Sequence, residues 1–543
     1  MDGRIERIVA AFLIACFYLA ASGKLVAAMQ QCGYGGRKFC RWYHRTENVF
    51  ISRFVYWGFL SAFATLVTVL SFSEFGEQVA LAVSAIPFFF FALLFYIVDR
   101  KYALKVPCVR SGRLIRLSAC YFFFVAVFAF CALSLCSFLG ELVRRNGAPE
   151  WLVLARYFPV SFLPLLLPYL LLFANLLEAP FERARNKKFV KRAGQVLNES
   201  NALKIAVVGS YGKTSVKEIL GQLLSVKYKT ALSPLSYNTP IGVSKTVFSD
   251  AANGAEAFVF EMGARKRGDI AELCALVSPS VVAFTGVCAQ HIQTFGSEAA
   301  VLQTKCECIQ SGAETIICGE GLKESVLGAD FLTDEEKAKC KFICVEKLIK
   351  DARYFADKTT FTLCLNAGEI AVETALLGKA ATENIALAAS VAETLGLTRE
   401  EISLGISHLK PIAHRLELKK ENGIFILDDA YNANEKGAAH AVEALCRFEG
   451  KKYLVTPGIV EAGILQKSIN GRLGEMLARA KLDGVALVGG MQVKAVKDGY
   501  LAAGGDEGKI TVSTTLEKAV NTFSGELCEG DAVLFLNDLP DVY

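Results

Sequence analysis

Lys204-Ile205-Ala206-Val207-Val208-Gly209-Ser210-Tyr211-Gly212-Lys213-Thr214-Ser215 is the stretch on which the fold turns. Residues 204–208 form a short β-rich run, and 213–224 has the apolar spacing of an amphipathic helix. A glycine-punctuated loop joins them, one residue shorter than the G-x-x-x-x-G-K-[ST] form of a phosphate-binding loop. Gly209 and Gly212 let backbone N–H groups converge on phosphate oxygens, and the helix start adds its positive end. Ser210 and Ser215 belong to the same cradle. Lys213 is placed to neutralise β- and γ-phosphates and Thr214 to ligate magnesium, so ATP and Mg2+ are the expected cofactors.

Downstream of this loop, short apolar runs alternate with helical patterns. A strand around 258–260 precedes a helix at 268–276, and a strand at 281–285 precedes a helix at 298–309. Such alternation predicts a doubly wound, mostly parallel α/β sheet. The rhythm restarts with strands at 424–427, 453–456, 485–488 and 533–536, which predicts a second, Rossmann-like α/β unit after a boundary near Lys410 and Pro411. Glu261 directly follows the run 258–260, and His291 lies just past another strand end. Acidic and imidazole groups at strand ends face the crevice where ligands bind, so with Thr214 they are candidate magnesium ligands.

Upstream, the composition changes. Of the 543 residues 53% are hydrophobic, and the excess collects in the first third. Five apolar stretches, 8–29, 54–72, 79–98, 117–139 and 157–177, approach the ~20 residues needed to cross a bilayer. Lys24 interrupts the first, and Pro159, Pro164 and Pro168 lie in the last. Basic residues cluster after the first, third and fifth stretches, which predicts a multi-pass protein of the inner or plasma membrane with its α/β part in the cytoplasm. The expected organisation is a membrane region at 1–180, a basic cytoplasmic linker at 181–202, an ATP-binding domain at 203–410 and a C-terminal domain at 411–543. A net charge of +5 without a basic block interleaved with aromatics argues against nucleic acid. The 17 cysteines are scattered, and Cys306 with Cys308 lacks a second pair at zinc spacing, so neither a disulfide framework nor a metal cluster is expected.

Five motifs in order carry a family resemblance: G-S-Y-G-K-T-S at 209–215, S-Y-N-T-P-I-G at 236–242, E-M-G at 261–263, H-I-Q-T-F-G-S at 291–297 and D-D-A-Y-N-A-N at 428–434. Over about residues 200–543 the chain resembles the Mur ligases of cell-wall synthesis, closest to the MurF type, which joins D-Ala-D-Ala to a tripeptide precursor. The resemblance implies that Lys213 and Thr214 bind ATP phosphate and magnesium, with Glu261 and His291 as further ligands. It implies that Lys305 carries a carbamate able to hold a second magnesium. Asn384 would lie near the adenine, Arg415 would reach the nucleotide phosphates when the last domain closes, and Asp429 would contact the ribose. Asn238 and Thr239 would bind substrate. The implied catalytic set is Lys213, Lys305, His291 and Arg415. The implied reaction attacks the γ-phosphate of ATP with a carboxylate, giving an acyl phosphate that an amine then converts to an amide. The implied partners are a UDP-linked or lipid-linked muramoyl peptide, an amino acid or dipeptide, and membrane lipid.

Three departures set the alternatives. Where the family has G-R-H-N-x-x-N, this chain has Gly378-Lys379-Ala380-Ala381-Thr382-Glu383-Asn384, which removes two side chains near the adenine. Glu435 stands where the MurF pattern has proline. Apolar stretches stand where the family carries a soluble nucleotide-binding domain. A Mur-like ligase with a different or lipid-linked substrate is therefore one alternative. A non-catalytic membrane scaffold that retains the nucleotide fold is another.

Overall fold

A computed structural model describes residues 3–44, 108–146, 163–234, 237–288, 295–431, 433–460, 462–490 and 492–537, with isolated positions between 90 and 97. The chain divides into two compact units, residues 1–185 with 539–543, and residues 186–538.

In the first unit, α1 (Gly3–Ala21) and α2 (Gly23–Gln31) meet at a 55° bend. The break falls on Ser22-Gly23, a pair that weakens the helical ladder. The buried Ser22 hydroxyl bonds Tyr121 at 2.9 Å. Tyr121 belongs to α3 (Gly112–Arg145), whose buried Leu117, Tyr121 and Val125 share a core with Leu25, Met29, Leu163, Leu167 and Leu171. Phe123, Leu135, Phe138, Phe173, Leu176 and Leu177 instead face outward. Two described helices, α3 and α4 (Leu163–Glu199), are long and apolar enough to cross a membrane, and the bent pair makes a third if it counts as one span. The predicted stretches 54–72 and 79–98 lie outside the described residues, apart from Phe90, Leu93 and Ile97. The segment 181–199, expected as part of a linker, is helical and continues α4 past Pro168 and Pro180. Arg116 pairs with Glu178 at 3.2 Å and with Glu182 at 2.5 Å, and Arg116 and Glu178 each stand one residue outside a neighbouring apolar stretch.

Among the described residues, the second unit holds three sheets. Strands β1 (Leu203–Val208), β2 (Thr230–Leu232), β3 (Ala257–Glu261), β4 (Val281–Phe284), β5 (Thr315–Gly319) and β6 (Cys340–Ile343) pair in the order β2-β3-β1-β4-β5-β6, all parallel. The side chains of the central strands β1, β3 and β4 are almost wholly buried, as a sheet covered on both faces requires. The helix α5 (Lys213–Leu224) that follows the loop buries Val216, Ile219, Leu220 and Leu223 in one cluster with Ile385 and Ala389 of α6 (Gly378–Thr394). Each of these Val, Leu and Ile side chains contributes about 1.5–3 kcal/mol by leaving water, so the loop stands on a fixed base.

Strands β7 (Ile349–Tyr354), β8 (Thr359–Leu365) and β9 (Gly368–Thr374) form a separate antiparallel sheet, an element that the alternating pattern does not predict. The third sheet has the order β10-β11-β15-β12-β13-β14. Only β10 (Glu417–Glu421) runs antiparallel, against β11 (Ile424–Asp429), while β12 (Lys452–Thr456), β13 (Gly484–Val488), β14 (Ile510–Ser513) and β15 (Ala532–Leu536) are parallel to β11. Helix α7 (Glu435–Leu445) begins just past β11, capped by the Asn434 side chain on the Gly437 N–H at 2.8 Å.

Candidate active site

β1 pairs with β3 on one side and β4 on the other, so the loop after β1 opens between two further strand ends. Glu261 closes β3 in register with Val207, and Thr285 follows β4. Gly209 and Gly212 have φ of +150° and +73°. A Cβ on Gly209 would lie 2.1 Å from the Thr285 hydroxyl, and one on Gly212 would lie 2.8 Å from Asn384 Oδ1. Both positions therefore require glycine. The Ser210 N–H donates to the Gly286 carbonyl at 2.7 Å, and the Thr285 hydroxyl donates to the carbonyl of Tyr211, which braces the loop from β4.

Charged side chains from three segments converge at this loop. Thr214 donates its hydroxyl to Glu261 Oε2 at 2.8 Å and accepts from Arg415 Nη2 at 3.2 Å. The buried Glu261 carboxylate also accepts from Asn238 Nδ2 at 3.1 Å, while its N–H donates to Ser233 Oγ at 3.1 Å. Lys213 Nζ donates to the Ser210 carbonyl at 3.1 Å. Loss of solvation pushes the Lys213 ammonium below its ordinary pKa, Glu261 opposes that shift and Arg415 adds to it. Lys305 is buried on the helix Glu298–Cys306, and burial, helped by Lys213, lowers its pKa to about 7. Arg415 lies 4.5 Å over the ring of Tyr431, whose flat face suits a guanidinium. Asp429 accepts from the Leu416 N–H at 3.1 Å, and burial raises its pKa to about 7 against the pull of Arg415.

A cavity of about 150 Å³ adjoins the loop, lined among others by Tyr211, Ser215, Ala380, Asn384, Arg415 and Asp429. Of the residues expected at the phosphates and the nucleotide, Gly212, Ser215, Asn384, Arg415 and Asp429 line this one space. Arg415, expected to reach the nucleotide phosphates, touches Thr214 in this conformation. Asn238, expected to bind substrate, sits against Glu261, and the Thr239 side chain caps the helix Pro240–Val247 by accepting from the Gly242 N–H. His291 lies outside the described residues. Ser233, Thr285, Tyr431 and His440 join the site without having been anticipated. Tyr431 stands inside the D-D-A-Y-N-A-N motif, a signal that was available; the others have none. The Thr214 hydroxyl and Glu261 carboxylate are hard oxygen donors held together beside a lysine, a set that fits a magnesium–phosphate ligand.

This arrangement defines a phosphate-loop α/β protein whose second α/β domain brings Arg415 and Asp429 to the cavity beside the loop. Residues 207–392 match the Mur ligase middle domain, and residues 414–537 match the Mur ligase, glutamate ligase domain. The chain belongs to the Mur ligase family, whose members are carbon–nitrogen ligases. It is 26% identical over 356 residues to the UDP-N-acetylmuramoyl-tripeptide–D-alanyl-D-alanine ligase of Bacillus subtilis, covering 62% of this chain and 74% of that one. The Escherichia coli ligase of the same name is 29% identical over 311 residues, 55% of this chain and 68% of that one. Among solved structures, the MurF ligase from Thermotoga maritima in complex with ADP superimposes with a TM-score of 0.56 at 27% identity, over 65% of this chain and 80% of that one.

Proposed function

We propose that this chain is a membrane-anchored, ATP-dependent amide ligase of the MurF type, adding D-Ala-D-Ala or a similar amine to the carboxylate of a cell-wall precursor. The observation that carries the reading is the Thr214 hydroxyl, held between Glu261 and Arg415 beside Lys213. Lys213 and the loop N–H groups would bind and orient the ATP phosphates. Thr214 and Glu261 would hold Mg2+, with His291 and a carbamate on Lys305 as the further ligands that the family resemblance implies. Bound magnesium would neutralise charge spreading onto the transferred phosphoryl group. Arg415 would face the same phosphates, and Asp429 and Asn384 would seat the nucleoside. The substrate carboxylate would take the γ-phosphoryl group as an acyl phosphate, and the amine would displace phosphate. Positioning and electrostatics supply most of such a rate enhancement.

The N-terminal helices would tether the ligase as a multi-pass protein with its catalytic unit in the cytoplasm. Their outward apolar side chains also favour a second reading, an acceptor that is itself lipid-linked. Phosphate release by the full-length protein in detergent, with UDP-linked muramoyl tripeptide and D-Ala-D-Ala, tests the first reading. Release should require both partners and vanish in Lys213→Ala. Turnover with lipid-linked and soluble tripeptides tests the second, and equal use of the two would sink it.

A further inference from the structure

We propose that His440 hydrogen-bonds the nucleobase in the cavity beside the phosphate loop, an inference that rests on the ATP-dependent reading above. The cavity wall at Ala380 and Ala381 carries no side-chain hydrogen-bonding group, and Leu376, Leu377 and Ile412 add only apolar surface. Four polar side chains of α6 and α7 line the cavity, and Lys436 among them is taken up by Glu383 and the face of Tyr211. Asn384 is drawn up against Gly212, at the phosphate end. Glu383 is held by Lys436 at 3.4 Å and by Lys379 at 3.9 Å. His440 lines the cavity from α7, and its Nε2 is buried with no hydrogen-bond partner. A buried polar atom left unpaired costs about 1–3 kcal/mol, so native structures rarely leave one without a purpose. A purine edge in the adjoining cavity supplies the missing partner.

The protonation state suits the task. Burial lowers the His440 pKa, with Lys436 and Lys379 adding to the shift and Glu383 and Glu443 opposing it. Near neutral pH the imidazole is therefore uncharged, with one nitrogen to donate and one to accept. Because α7 belongs to the C-terminal α/β domain, the base would be read from that domain while the phosphates are held by the middle one. The contact missing at Ala380 and Ala381 would be replaced from the opposite wall.

The test compares equilibrium binding of ATP and inorganic tripolyphosphate to the full-length protein in detergent, for wild type, His440→Ala and His440→Phe. The phenylalanine keeps the ring and removes both nitrogens. Loss of one such hydrogen bond weakens binding by roughly tenfold. Both variants should raise the ATP Kd by about that factor and leave the tripolyphosphate Kd unchanged. The inference is overturned if ATP affinity survives in His440→Phe, or if tripolyphosphate weakens in parallel. It is also overturned if wild type binds the two ligands equally. Failure of wild type to bind either ligand would instead overturn the ATP-dependent reading itself.

Discussion

Asp429 should make the folded protein less stable than its asparagine counterpart, and only at higher pH. Its carboxyl is pushed from 3.8 to about 7 by burial, which outweighs the favourable field of Arg415. The sign follows from linkage: between these values the unfolded chain has lost a proton that the folded chain keeps, so stability falls as pH rises. Below 3.8 no penalty exists, and above 7 it is complete. At about 1.4 kcal/mol per pKa unit the penalty is roughly 4 kcal/mol at pH 8 and about 1.6 kcal/mol at pH 5. The change between pH 5 and pH 8 is thus at most about 2.7 kcal/mol, and solvent screening of this part-exposed side chain reduces it to about 1–2 kcal/mol. Asp429→Asn keeps an oxygen to accept from the Leu416 N–H, so the bond at 3.1 Å survives the change. Calorimetry of the full-length variant should show an advantage over wild type that grows by roughly 3–6 °C in Tm between pH 5 and pH 8. An equal offset at the two pH values would refute the reasoning. The same variant should bind nucleotide more weakly, as expected of a group whose strain serves a site.

Thr214→Val removes the hydroxyl that links Glu261 to Arg415 and leaves a buried carboxylate oxygen short of a donor. Steady-state kinetics should show kcat/KM reduced by roughly 10–100-fold, with the magnesium requirement shifted upward. Gly212→Ala must hold a Cβ at φ +73°, 2.8 Å from Asn384 Oδ1. The left-handed conformation alone costs about 1–2 kcal/mol, so ATP binding measured by titration should fall by at least tenfold while the fold is retained. The protein should stay in the membrane pellet after an alkaline carbonate wash, and release into the supernatant would contradict the anchoring role proposed for α3 and α4.

How much of this was legible follows from the range of each interaction. The phosphate loop was readable because strand, glycine loop and helix are contiguous, and the predicted 213–224 helix has the bounds observed. The antiparallel sheet β7-β8-β9 does leave a trace, since Phe361 and Leu363 are buried while Thr360 and Thr362 are less so. That two-residue period is hidden beside neighbours such as β1, β3 and β4, which are buried on both faces and show no alternation. The Arg415–Thr214 contact joins residues 201 apart, and no local pattern specifies which hydroxyl the guanidinium meets. Ser233 and Thr285 are ordinary small residues whose value comes from where the strands end. The continuation of α4 through 181–199 was masked because its charged composition resembles that of a solvated linker.

The charge balance at the loop ties these pieces together. Lys213, Lys305 and Arg415 crowd one region, and the two lysines are both driven toward their neutral forms. Glu261 opposes the shift in each, and Asp269 acts only on Lys305. An array in which cations depress one another is poised for a polyanion, because each phosphate oxygen that enters restores the charged state it had made costly. A carbamate on Lys305 would add negative charge at the same place and so demand a second cation. The two conditions are compatible only if magnesium and phosphate arrive together. Binding of ATP without magnesium should therefore be weaker in the unmodified protein and weaker still once Lys305 is carbamylated, a ranking that titration with and without bicarbonate would establish.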